Sequence, residues 1–161
     1  MIIHQVSTQG FEVEELAPEE LREEIYRMEE CLRQVPSEDV PVEHIFAYGL
    51  YMRRIFLRKG LAITGRKHKQ DDLQILIYGD LTIYTEGGMK RYVGHAAFRS
   101  KAGVKPFAVA NEDTLWATVH HTHLTDLNEI DQELFEQEPG AELDFITGKV
   151  IQEVLPCQAH S

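Results

Sequence analysis

Between residues 40 and 123 the chain is cut into short extended runs by glycine and asparagine turns, and this punctuation limits the fold more than any other feature. The runs cover residues 50–58, 61–64, 73–78, 81–85, 89–93, 104–110 and 115–121, and they are rich in Ile, Val, Tyr and Phe. The breaks fall at Lys59-Gly60, Gly65, Gly79-Asp80, Glu86-Gly87-Gly88, Ala102-Gly103 and Asn111-Glu112-Asp113. Turns at roughly 8–12-residue intervals predict an antiparallel sandwich or barrel. Gly79-Asp80 and Gly87-Gly88 suit tight hairpins, because glycine accepts positive φ without steric penalty.

Two helices flank this region. Pro18-Glu19-Glu20 opens the first, with proline in the first turn and acids against the positive end of the dipole. Leu21, Ile25, Met28 and Leu32 then form one apolar stripe, and Pro36 stops it. In the second, Asp126 is placed to cap while Glu129 reaches back, and Leu127, Ile130 and Leu134 supply the apolar face before Pro139-Gly140. Residues 141–156 read as a strand-like tail and 157–161 as a frayed end. The expected division is an arm and helix at 1–42, a barrel at 43–123, and a helix with tail at 124–161 that packs on the barrel or on a neighbouring subunit.

Charge is arranged in blocks. Residues 1–40 carry 11 acids and 3 bases, 41–110 carry 5 acids and 12 bases, and 111–161 carry 11 acids and one base, within a net charge of −11. The acidic flanks argue against nucleic acid as a partner, since phosphate binding needs uncompensated basic surface. No run approaches a membrane span, and the N-terminus lacks a basic start and apolar run. Cys31 and Cys157 have no metal-knuckle spacing, which suits a reducing compartment. The expectation is an acidic cytoplasmic protein.

The segment 60–120 resembles the cupin family, double-stranded β-helix (jelly-roll) barrels with two short motifs. The first family motif has His-x-His, then Glu, then Gly; this chain has His68, Lys69, Gln70, then Gln74, then Gly79. The second has Pro-x-Gly-x-x-His followed by Asn; here stand Lys101, Ala102, Gly103, Val104, Lys105 and Pro106, with Asn111 beyond. A closer resemblance covers about residues 43–135, where His44-Ile45-Phe46-Ala47-Tyr48-Gly49-Leu50-Tyr51, Gly65-Arg66-Lys67-His68-Lys69 and the run from Glu112 to His120 look like small cupin-like proteins of tailed bacteriophages. The resemblance implies a mainly β fold, a cupin jelly-roll barrel with an N-terminal amphipathic helix and a C-terminal helix plus tail. It also implies a viral context, with the host cytoplasm as the compartment.

A cupin metal is held by imidazoles and a carboxylate inside the barrel. Gln70 and Gln74 replace a basic nitrogen and a charge, and Pro106 offers no donor, so the motif positions leave His68 as one good ligand. The expected cofactor is therefore none, with one divalent metal ion as the alternative. His120, His121 and His123 are the other dense histidine group. His121 and His123 beside Asp126 could take zinc, but the same residues read first as a strand end running into a helix cap, with the histidines hydrogen-bonded or solvated. The weak metal candidates are thus His68, His120, His121 and His123.

The expected pocket is formed by His68, Gln70, Gln74 and Tyr78 from one sheet, with Lys105 approaching from the other. His120 shares parity with Trp116 and Thr118 and points inward with them. The basic pair Arg53-Arg54 reads as an exposed or acid-paired face. The favoured function is a non-catalytic binding and assembly module, a degenerate cupin whose barrel takes a small polar or anionic ligand. The alternative is a metal-dependent dioxygenase or sugar isomerase or epimerase with an altered ligand set. A metal-free epimerase pairing His68 with Tyr78 is a third form. The expected partner is a second copy of the chain, because the face carrying Leu73, Ile75 and Ile77 needs cover, with a virion or assembly partner beyond it.

Overall fold

The protein is described by a computed structural model over residues 2–4, 18–32 and 39–137. The tail expected at 141–161 lies outside the described residues. Ten strands fall among them: β1 (Ile2–His4), β2 (Val42–Ala47), β3 (Leu50–Leu57), β4 (Leu61–Thr64), β5 (Asp72–Tyr78), β6 (Asp80–Thr85), β7 (Gly88–Val93), β8 (Ala96–Ser100), β9 (Phe107–Ala110) and β10 (Thr114–His121). Two helices accompany them, α1 (Pro18–Leu32) and α2 (Leu127–Leu134).

The strands form two five-stranded sheets, ordered β1-β4-β9-β6-β7 and β2-β3-β10-β5-β8, and every pairing is antiparallel. Successive strands from β3 onward alternate between the sheets except at hairpins, which is the jelly-roll winding. The core lies between the sheets, where Ile55, Leu57, Leu76 and Trp116 of one meet Leu61, Ile63, Leu81 and Ile83 of the other. The fold is mainly β, as the punctuation implies.

The outer faces are treated differently. On the first sheet, Ala62, Tyr84, Phe107 and Val109 are covered by Leu21 and Ile25 of α1. Each of those two buried side chains contributes about 1.5–3 kcal/mol. A buried polar link fixes the helix further: Lys105 Nζ lies 3.2 Å from Glu29 Oε2, and Thr64 Oγ1 donates to Glu29 Oε1 at 3.0 Å. The outer face of the second sheet carries no helix among the described residues, and there Ile45, Leu73 and Ile77 remain exposed.

Two local expectations are corrected. Gly79-Asp80 is no hairpin, because β5 and β6 belong to different sheets. Gly79, at φ +120°, turns the corner against Thr114, whose Cα would stand 2.6 Å from an added Cβ. The run expected at 104–110 shortens to β9, since Pro106 has no N–H for the ladder and Lys105 is drawn to α1. By contrast β6 and β7 do form a tight hairpin, closing with Thr85 opposite Gly88.

Candidate functional site

Alternation builds the site on the inner face of the second sheet. The register aligns His44, Arg53, Thr118, Gln74 and Phe98 in one row across β2, β3, β10, β5 and β8. The row on one side is apolar, with Val42, Ile55, Trp116, Leu76 and Ala96. On the other side stand Phe46, Tyr51 and His120. Asp72, two residues before Gln74, shares its face and completes that end.

His68 arrives from the loop between β4 and β5. Its segment is clamped by α2: Lys69 N donates to Leu134 O at 2.8 Å, and Glu136 N donates to Lys67 O at 2.9 Å. This makes a short antiparallel bridge between His68 and Phe135. The Phe135 ring stands edge-on to His68 at 4.9 Å. Helix α2 itself is set by its Asp126 cap, which accepts from Asn128 N and Glu129 N, and by Ile130 and Leu134 buried against Tyr51.

His68, Asp72 and His120 converge there. One ligand atom from each lies within 4.8 Å of the other two. His68 Nδ1 abuts Asp72 Oδ2, yet it makes no hydrogen bond of ordinary geometry among the described residues. His120 Nε2 is 3.7 Å from the same oxygen and is likewise unbonded. Gln74 Nε2 donates to both Asp72 oxygens at 2.9 Å, while its own Oε1 has no partner among the described residues. Burial, reinforced by neighbouring His68, pushes the His120 imidazole down to about 4 against the pull of Asp72. His120 is therefore neutral at pH 7 and keeps a lone pair, as a metal ligand must.

A buried polar atom without a partner costs roughly 1–3 kcal/mol, and such a group calls for an ion or water to satisfy it. Here His120 Nε2 is such an atom, and with His68 Nδ1 it flanks a carboxylate in a gap where neither nitrogen touches solvent. Two imidazoles and one carboxylate match the donor set of Fe, Mn, Ni or Zn sites with open positions. The residues present fit a divalent cation.

A cavity of about 70 Å³ adjoins the cluster. His68, Gln74, Thr118, Arg53 and Arg66 supply its polar wall, and Ile55, Ile63, Trp116 and Phe135 its apolar wall.

The other expected site residues lie elsewhere. Gln70 is exposed, because the chain bends through 69–70 and strand parity starts only at Asp72. Tyr78 is 47 % exposed, since the β5–β10 register shifts between Leu115 and Trp116 and parity is lost beyond Leu76. Lys105 faces α1, where Glu29 takes its ammonium and the Tyr26 ring lies 5.1 Å away. His121 and His123 sit exposed at the end of β10 with their rings 5.2 Å apart, and Asp126 is engaged as a helix cap. Arg54 pairs with Glu43 on the outer face, whereas Arg53 turns inward. Sequence reasoning missed Asp72, Arg53 and Arg66. Parity with Gln74 and with Tyr51 and Ile55 marks the first two; Arg66 lies in a loop and carries no periodic signal.

No protein-family model and no curated protein matches the sequence. Similar solved structures include a cupin-2 domain protein from Shewanella frigidimarina, at 10% identity and TM-score 0.45 over 60% of this chain and 92% of that one. Ectoine synthase from P. lautus is similar at 15% identity and TM-score 0.49, over 62% and 76% of the two chains. KdgF from a Halomonas species is similar at 18% identity and TM-score 0.47, over 58% and 88%. These likenesses carry nothing about substrate or reaction.

Proposed function

We propose that this protein is a small-molecule-binding jelly roll whose His68, Asp72 and His120 hold one divalent cation beside the ligand cavity. The observation that carries this reading is the convergence of His68 Nδ1 and the unbonded His120 Nε2 on one buried carboxylate oxygen. Gln74 orients that carboxylate through both oxygens, the supporting role that hydrogen-bonded neighbours play at metal sites. When bound, the cation would supply Lewis-acid polarisation to a ligand in the cavity. The chain's own residues fix the carboxylate, keep His120 unprotonated and exclude water with Phe135 and Trp116. This reading places more weight on metal than the motif positions alone do, because Asp72 and His120 make good what Gln70 and Pro106 lack.

Elemental analysis of protein purified without chelator tests it. The expected result is about one equivalent of a first-row divalent metal per chain, lost in Asp72→Ala and His120→Ala. Empty wild-type protein that also fails to take up Zn or Mn on titration would contradict it.

A second reading is favoured by the contact of His68 with Asp72 alone: a metal-free proton transfer in which Asp72 orients His68 as general base. It predicts wild-type behaviour in chelator, which separates it from the first. We also infer a homodimer through the outer face of the second sheet. Five strands of about seven residues give roughly 500 Å² per copy, near 1,000 Å² in total, the lower bound for a specific interface.

A further inference from the structure

We propose that the cavity beside His68 binds a short-chain monocarboxylate, gripped by Arg53 and Arg66. The proposal rests on the cavity in the reading above and does not need the cation. Its first support is charge. In a chain of net charge −11, two arginines line this cavity and no acidic side chain does.

The second support is preorganisation. Arg66 pairs through Nη1 with Asp131 of α2, and its Nη2 donates to Glu136 O at 3.4 Å. Its guanidinium lies over the Phe135 ring at 4.8 Å, and its Nε has no hydrogen-bond partner among the described residues. The guanidinium is thus held at the wall before any ligand arrives, with Nε as its unbonded donor, which reduces the ordering cost of binding. Arg53 also lines the cavity, from β3, opposite Thr118 in the same row. Guanidinium forks match carboxylate geometry, and charge-assisted bonds of that kind are about twice as strong as neutral ones.

The remaining walls choose the rest of the ligand. Ile55, Ile63, Trp116 and Phe135 would sit against oxygen if phosphate or sulfate filled the space, so the anion must carry a hydrocarbon body. A volume of about 70 Å³ admits on the order of five to seven non-hydrogen atoms, taking one water as 10–15 Å³ of the same measure. Propionate, lactate and pyruvate are of this size.

Isothermal titration with propionate, lactate, pyruvate, propionamide and inorganic phosphate tests the proposal, run on EDTA-treated and on zinc-loaded protein. The expected result is saturable binding of at least one of the carboxylates to both preparations, with propionamide and phosphate at least 10-fold weaker. Arg53→Met is expected to weaken the bound carboxylate at least 10-fold and Arg53→Lys less, with thermal melting checking the fold of each. Should Arg53→Met not fold, the carboxylate-to-amide ratio in wild type decides. Phosphate or propionamide binding as tightly as the carboxylates would overturn the proposal. So would the absence of heat with all three acids, or binding seen only with zinc and unchanged in Arg53→Met. Carboxylate binding without any metal uptake would refute the cation reading alone, whereas metal uptake without carboxylate binding would refute this one alone.

Discussion

His120 is held between burial, which favours its neutral form, and Asp72, which favours its charged form, and burial prevails. An unfolded imidazole takes its proton near pH 6.5 and the folded one near 4, so between those values the unfolded state binds more protons. The contribution of His120 to the stability of chelator-treated protein is therefore full above pH 6.5 and is lost as pH drops toward 4, by on the order of 3 kcal/mol. Urea melts of wild type and His120→Gln across that window check this; the difference between them should shrink with falling pH, and a constant difference would contradict it. The neighbouring carboxylate shows why the His68, Asp72 and His120 cluster was only partly legible. Asp72 follows Lys69-Gln70-Asp71, a string that reads as a polar turn, and the family motif directs attention to 68, 70 and 74. Its parity with Gln74 was visible, but the start of β5 was not. Gln70, one bend earlier, has no parity with the strand at all.

Elements set these residues in place. Helix α2 and the residues just after it hold the His68 segment through two backbone hydrogen bonds, and α2 seats Ile130 and Leu134 against Tyr51. Ile130→Ala should destabilise the protein by about 2–5 kcal/mol in denaturant melts. It should also weaken metal uptake by loosening the segment that carries His68; a melt shift with metal affinity unchanged would separate packing from positioning. Gly79→Ala tests the corner between the sheets. With φ at +120° and Thr114 filling the space of a Cβ, it should cost well over 1 kcal/mol, and a neutral result would mean the corner relaxes. The helices were legible because period, proline and cap agree: Pro18 and Asp126 mark the observed starts. Strands β2 and β8 were not, since Val42–Ala47 follows a proline and mixes charge with apolar residues, and Ala96–Ser100 offers only small and polar ones beside Phe98. What decides them is their place as edge strands, a tertiary fact.

At the scale of the whole molecule, the jelly roll buries one outer face under α1 and leaves the other uncovered among the described residues. Light scattering at micromolar concentration should return twice the 18.5 kDa chain mass, and Leu73→Lys should return it once; a wild-type monomer would contradict the dimer. Charge segregation along the sequence resolves into specific pairs across the fold, with Lys105 on Glu29, Arg66 on Asp131 and Lys59 on Glu112. Each joins the basic centre to an acidic flank. The central question is whether His68, Asp72 and His120, beside the cavity, share an ion. Anomalous diffraction from crystals grown with zinc or cobalt measures this directly. A peak about 2.0–2.2 Å from donor atoms of His68, Asp72 and His120 is the predicted result, and a peak confined to His121 and His123, or none, would contradict it.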